Sequence, residues 1–169
     1  MNDDITSLFY RFRQKGILID TNILLLYFIG TVNPERISRF NRTQQFIPED
    51  YELLLKILKF FQKVVTTPNI LTEVNSLANQ LGEPERSQCF TIFAQFAQSV
   101  EFCNEYYIKS QNAVTAEKFV KFGLTDCGIL ALARENYLVL TDDLKLANYL
   151  QSVEIDVINF NNIRAWGWQ

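Results

Sequence analysis

Ile17-Leu18-Ile19 runs straight into Asp20-Thr21-Asn22 and then into the apolar stretch from Ile23 to Ile29. No other feature constrains the fold as much. Three consecutive apolar residues without alternation read as a strand buried on both faces, the habit of parallel sheets. The stretch from Asn22 reads as a buried helix that stops at Gly30. A strand followed at once by a helix is the first half of a βαβ unit, and it leaves Asp20 at the strand's C-terminal end.

The pattern continues along the chain. Val64 to Thr66, Val100 to Cys103, Tyr137 to Thr141 and Val153 to Ile158 are further strand candidates. Between them, helical spacing predicts helices over 49–62, 68–80, 85–98 and 113–122, then from Asp126 to about Asn136 and over 144–150. Thr67-Pro68 is a strong helix start, and Gly123 followed by Thr125 reads as one helix closed and the next one capped. Residues 31–50 carry Pro34 and Pro48 without clean periodicity, so about 31–62 is expected to be an insertion or mobile segment. Alternating strands and helices in 169 residues predict a single domain over 1–169 of α/β class, a three-layer α/β/α fold with a central, mostly parallel sheet. Trp166 and Trp168 near the C-terminal end are expected to pack on the core, with a partner surface as the alternative.

Composition narrows the function classes. Cys89, Cys103 and Cys127 are an odd number at wide spacing, which argues against a disulfide framework and a zinc site and fits a cytoplasmic chain. The acidic Met1-Asn2-Asp3-Asp4 start lacks the features of a secretory signal. The most hydrophobic stretch is interrupted at Asp20 to Asn22 and falls short of the roughly 18 to 20 residues of a bilayer span, so no membrane role is expected. A net charge of −3 exerts no general pull on nucleic acid, so a polyanion would need a local basic surface or a bound cation.

There is no histidine, which turns attention to the carboxylates. Asp20 and Asp143 fall just after apolar strands, where functional groups collect in open parallel sheets. Glu73 lies on the helix after the second strand, and Asp126 in the first turn of the helix leading into the 137–141 strand. One site can gather all four. Each also has a plainer reading: Asp20 as a helix cap, Glu73 as a solvated surface acid, Asp126 as a partner of the helix dipole, Asp142-Asp143 as a polar turn. Several unneutralised carboxylates together make most sense around a hard divalent cation such as Mg2+ or Mn2+.

At these residues the sequence resembles the PIN domain, a metal-dependent nuclease fold common among the toxin ribonucleases of toxin-antitoxin pairs. The matching pieces are Ile-Leu-Ile-Asp-Thr-Asn at 17–22, Leu-Thr-Glu-Val at 71–74, Gly-Leu-Thr-Asp at 123–126 and Val-Leu-Thr-Asp-Asp at 139–143. The order and coarse spacing agree from about residue 16 to 158. The resemblance implies an endoribonuclease in which Asp20, Glu73, Asp126 and Asp143 hold one or two divalent ions. Thr21, Asn22 and Thr141 would shape the site, with Asp142 in support. It further implies RNA as substrate, an antitoxin as partner if the chain is a toxin, and a homodimer. Arg36, Arg39, Arg42 and Lys145 are the basic candidates for contact with the RNA backbone.

Two other readings stay open. A haloacid-dehalogenase-type phosphatase also begins with an apolar strand ending in Asp, but needs a second Asp where this chain has Asn22. A non-catalytic module could keep the fold for binding RNA or protein.

Overall fold

The computed structural model describes residues 3–134 and 137–166. The packing expected of the Trp166 and Trp168 side chains and the helix end expected near Asn136 lie outside the described residues.

Five short strands form one all-parallel sheet: β1 (Ile17–Ile19), β2 (Val64–Thr66), β3 (Cys103–Glu105), β4 (Leu138–Thr141) and β5 (Val157–Asn159), in the order β3-β2-β1-β4-β5. Every residue of β1, β2 and β4 is buried, which explains why they read as unbroken apolar runs. The edge strand β3 lies two to three residues later than expected, because its Cys103-Asn104-Glu105 sequence passes from buried to exposed and has no apolar signature. The last strand is also shorter than expected. Residues before it turn back with Glu154 at a φ of 58°.

Helices flank the sheet on both faces in a three-layer α/β/α arrangement. In chain order they are α1 (Asp3–Phe12), α2 (Thr21–Val32), α3 (Pro48–Phe60), α4 (Pro68–Ala78), α5 (Glu85–Gln98), the short α6 (Ser110–Ala113), α7 (Phe119–Ala133), α8 (Leu144–Ser152) and α9 (Phe160–Trp166). Helix α1 was not expected; it lays Phe9 and Phe12 on the core. Helix α2 is apolar on all sides because α3, α4 and α5 surround it.

Gly30 does not stop α2, which runs on to Val32 and is capped by Asn33. Its role is steric. A methyl group at Gly30 would fall inside the Tyr51 ring, so this glycine lets α3 approach α2 closely. Between these helices, Pro34–Arg39 forms a 3₁₀ helix started by the Asn33 side chain. Ile37, Phe40, Thr43 and Phe46 are buried along this stretch, and Thr43 Oγ1 donates to the Ile37 carbonyl at 2.8 Å.

The helix expected over 113–122 is interrupted by turns over 114–118. Helix α7 starts at Phe119 and breaks at Gly123, whose φ of 79° and ψ of −171° interrupt the helical path. Among the described residues no helix is long and apolar enough to cross a membrane.

Candidate metal centre

The strand order dictates where a site can form. From β1 the chain moves to β2 on one side, while from β4 it moves to β5 on the other, so the C-terminal ends of β1 and β4 flank a crevice. Ile19 pairs with Leu140. The next residue on each strand is then Asp20 and Thr141, and Thr141 Oγ1 donates to Asp20 Oδ2 at 2.6 Å.

Asp20 does cap α2, since its Oδ1 accepts the Thr21 amide at 2.6 Å, but that is only half of its environment. The Thr141 hydroxyl receives the Asp143 amide at 3.0 Å, which turns its own proton toward Asp20. Asp20 is 7% exposed. Burial pushes its carboxyl up to about 6, against the bonds from Thr141 and Thr21 that pull it down.

Glu73 projects from α4 and is exposed, as a surface acid would be. It is nonetheless held at both oxygens: Thr21 Oγ1 donates to Oε2 at 2.9 Å and Thr125 Oγ1 to Oε1 at 2.5 Å. Asp126, next to Thr125, lies in the first turn after the Gly123 break. Burial, and then the charges of Asp20, Asp143 and Glu73, push Asp126 up to about 7. The four acids therefore feel one another across a single basin.

The two acids after β4 divide their work. Asp143 caps α8, its Oδ1 accepting the amides of Lys145 at 2.7 Å and Leu146 at 3.0 Å. Asp142 turns to Asn22, whose Nδ2 donates to its Oδ1 at 3.2 Å. Burial raises Asp142, while bonds from Asn22 and Gln45 lower it. Asn161 in α9 donates to the Asp142 carbonyl at 3.0 Å and steadies the turn.

The basic candidates are distributed differently. Arg36 pairs with Glu85 at 3.0 Å and Arg42 donates to Gln80 at 2.9 Å, so both tie the 3₁₀ segment to the α4–α5 region. Arg39 and Lys145 are exposed, and Lys145 follows the basin's own Asp143. Among the described residues, none of the ion pairs involves Asp20, Glu73, Asp126, Asp142 or Asp143.

Sequence reasoning placed Thr125 only as a helix cap, and the structure corrects this: its hydroxyl goes to Glu73. Gln45 and Asn161 were not anticipated at all. The signal for Thr125 was its position directly before an acid, as with Thr72-Glu73 and Thr141-Asp142. Nothing local marks Gln45 or Asn161.

The donor set suits a hard cation. It is made of carboxylate oxygens oriented by hydroxyl, amide and backbone donors, all of them neutral, and two of its acids are pushed up by burial and mutual repulsion. Among the described residues no three acidic or thiol side chains stand close enough together, as placed, to hold a metal ion. The acids face a common basin, and among the described residues no side-chain ion pair offsets their charge. Comparison with protein-family models, curated proteins and solved structures finds no match to this chain, so the reading of the site rests on its residues and geometry.

Proposed function

We propose that this chain is a metal-dependent endoribonuclease that hydrolyses RNA phosphodiester bonds. The observation that carries the reading is the convergence of Asp20, Glu73, Asp126 and Asp143 at the β1/β4 crevice, with no ion pair to any of them among the described residues. The ordered resemblance to the PIN domain over the same four acids supports RNA as the substrate class.

Asp20, Glu73, Asp126 and Asp143 would hold Mg2+ or Mn2+, which when bound supplies the charge that activates water and offsets negative charge on the phosphoryl group. The chain's own residues orient the site. Thr141 aims Asp20, Thr21 and Thr125 aim Glu73, and Asn22 draws Asp142 aside so that Asp143 faces the crevice as the acid after β4. Lys145 and Arg39 are the exposed cations for the RNA backbone. The reading extends to a cytoplasmic toxin that acts as a homodimer and is blocked by a small antitoxin, whose reading frame would lie beside its own.

The test is incubation of the purified chain with single-stranded and structured RNA, with Mg2+ or Mn2+, with chelator, and with the Asp126→Asn variant. Cleavage is expected only with the cation and the intact acid. Cleavage that persists in chelator or in the variant removes the mechanism, and intact RNA with hydrolysis of small phosphomonoesters favours the phosphatase reading.

A further inference from the structure

We propose that Thr125 is a positioning residue for the metal centre, fixing Glu73 jointly with Thr21 so that an exposed helix glutamate serves as a ligand. The assignment rests on the metal-centre reading above. An exposed glutamate ordinarily samples many rotamers, and ordering it costs side-chain entropy. Here its two oxygens are taken by hydroxyls from two other elements, the start of α2 and the restart of α7. Both threonines are buried, Thr21 at 6% and Thr125 at 9% exposure, so protein rather than water supplies the donors. Thr125 Oγ1 lies 2.5 Å from Glu73 Oε1, a close hydrogen bond.

The break at Gly123 is part of the same device. A Cβ there would meet nothing within 4 Å, so the glycine serves the backbone angle and not a close approach. Its φ of 79° lies where side-chain-bearing residues are strained. The break lets α7 restart with Thr125 and Asp126 in adjacent positions of one turn. One residue then reaches Glu73 while the next meets the charges of Asp20, Asp143 and Glu73. Each Glu73 oxygen that accepts a hydroxyl retains a further lone pair for a cation. A donor behind a carboxylate ligand sets its direction, and losing such a donor commonly weakens metal affinity by about 10- to 100-fold.

The experiment is Mn2+ titration of the full chain by calorimetry, in parallel with melting in chelator, for the wild type, Asp126→Asn, Thr125→Val and Thr125→Ser. Valine keeps the shape of threonine and removes the donor; serine keeps the donor. The expected result is binding by the wild type, loss in Asp126→Asn, about 10- to 100-fold weaker binding in Thr125→Val, and near-wild-type binding in Thr125→Ser. Melting in chelator should differ little between the two Thr125 variants. If Asp126→Asn loses Mn2+ while Thr125→Val binds like the wild type, the positioning role is wrong and the metal centre stands. Equal loss in Thr125→Ser and Thr125→Val also overturns it, because methyl packing would then be what matters. If the wild type binds no Mn2+, the metal-centre reading falls and this assignment falls with it. Should Thr125→Val fail to fold, Thr125→Ala carries the same comparison against Thr125→Ser.

Discussion

Two buried aspartates in this chain are treated in opposite ways. Asp50, 5% exposed at the start of α3, accepts the Ile47 amide at 2.9 Å and pairs with Arg164 of α9 at 2.9 Å. Asp20, 7% exposed at the end of β1, has only neutral donors and lies among other acids. Burial of an ionised carboxylate is costly unless an opposite charge comes with it. The α3–α9 junction carries its own counter-charge and is complete as architecture. Among the described residues the basin at the β1 and β4 ends has no such ion pair, and the proposed cation would supply the missing charge.

The largest effect that tests this contrast is on activity. Asp126→Asn or chelator is expected to lower RNA cleavage by about 10³-fold or more, the loss of a group essential to the chemical step. Asp50→Asn, compared per folded molecule, should leave cleavage within about tenfold. Equal losses in a gel-based cleavage assay would break the distinction between the two regions.

Stability should separate them with opposite sign. Asp50→Asn removes the counter-charge of Arg164 and is expected to cost about 3 kcal/mol, the low end for breaking a buried pair because the Arg164 side chain is 23% exposed. Asp20→Asn keeps a side-chain oxygen for the α2 cap and removes a repelled charge. In cation-free buffer at neutral pH its urea midpoint should match or exceed that of the wild type, and a drop as large as that of Asp50→Asn would contradict the contrast.

The pH response sharpens it further. Asp20 and Asp126 bind their protons more tightly in the folded chain, at about 6 and about 7, than in the unfolded chain near 3.8. The folded state therefore holds more protons than the unfolded state between pH 4 and 7. Stability without metal falls as pH rises through that window and levels off above it. Saturating Mg2+ should flatten the fall, read as the melting temperature against pH with and without the cation. A cation-free melting temperature that rises across the window would contradict the basin described here.

The smallest effect concerns Lys145, two residues after Asp143. Lys145→Ala is expected to raise KM for RNA by less than about tenfold with kcat little changed, the signature of a contact made equally in ground and transition states. Arg36→Ala should instead lower stability by no more than about 1 kcal/mol, because its pair with Glu85 is partly exposed. Kinetics and denaturation on the two variants distinguish substrate contact from scaffold.

Legibility followed local physics. β1 and β4 are plain in the sequence because a strand buried on both faces has no reason to alternate. Edge strand β3 was displaced because its outer positions are polar, and α1 escaped notice although Phe9 and Phe12 tie it to the core. Gly30 looked like a helix stop because glycine commonly is one, whereas the Tyr51 ring on another helix is what requires it. The same limit applied at the site. Strand ends point to Asp20 and to the Asp142-Asp143 pair, and the resemblance selects Asp143, but nothing local marks the hydroxyl partners of Glu73, and Thr125 reads only as a cap.

The sequence by itself determined the apolar runs that make parallel strands and the acids that end or follow them, because burial on both faces and helix capping act over a few neighbouring residues. Only the tertiary structure decided that Thr21 and Thr125, each 52 positions from Glu73, meet its two oxygens. That meeting depends on how the β1–β2, β2–β3 and β3–β4 crossovers bring α2, α4 and α7 to the C-terminal end of the sheet. No local period encodes the direction of a hydroxyl across three elements.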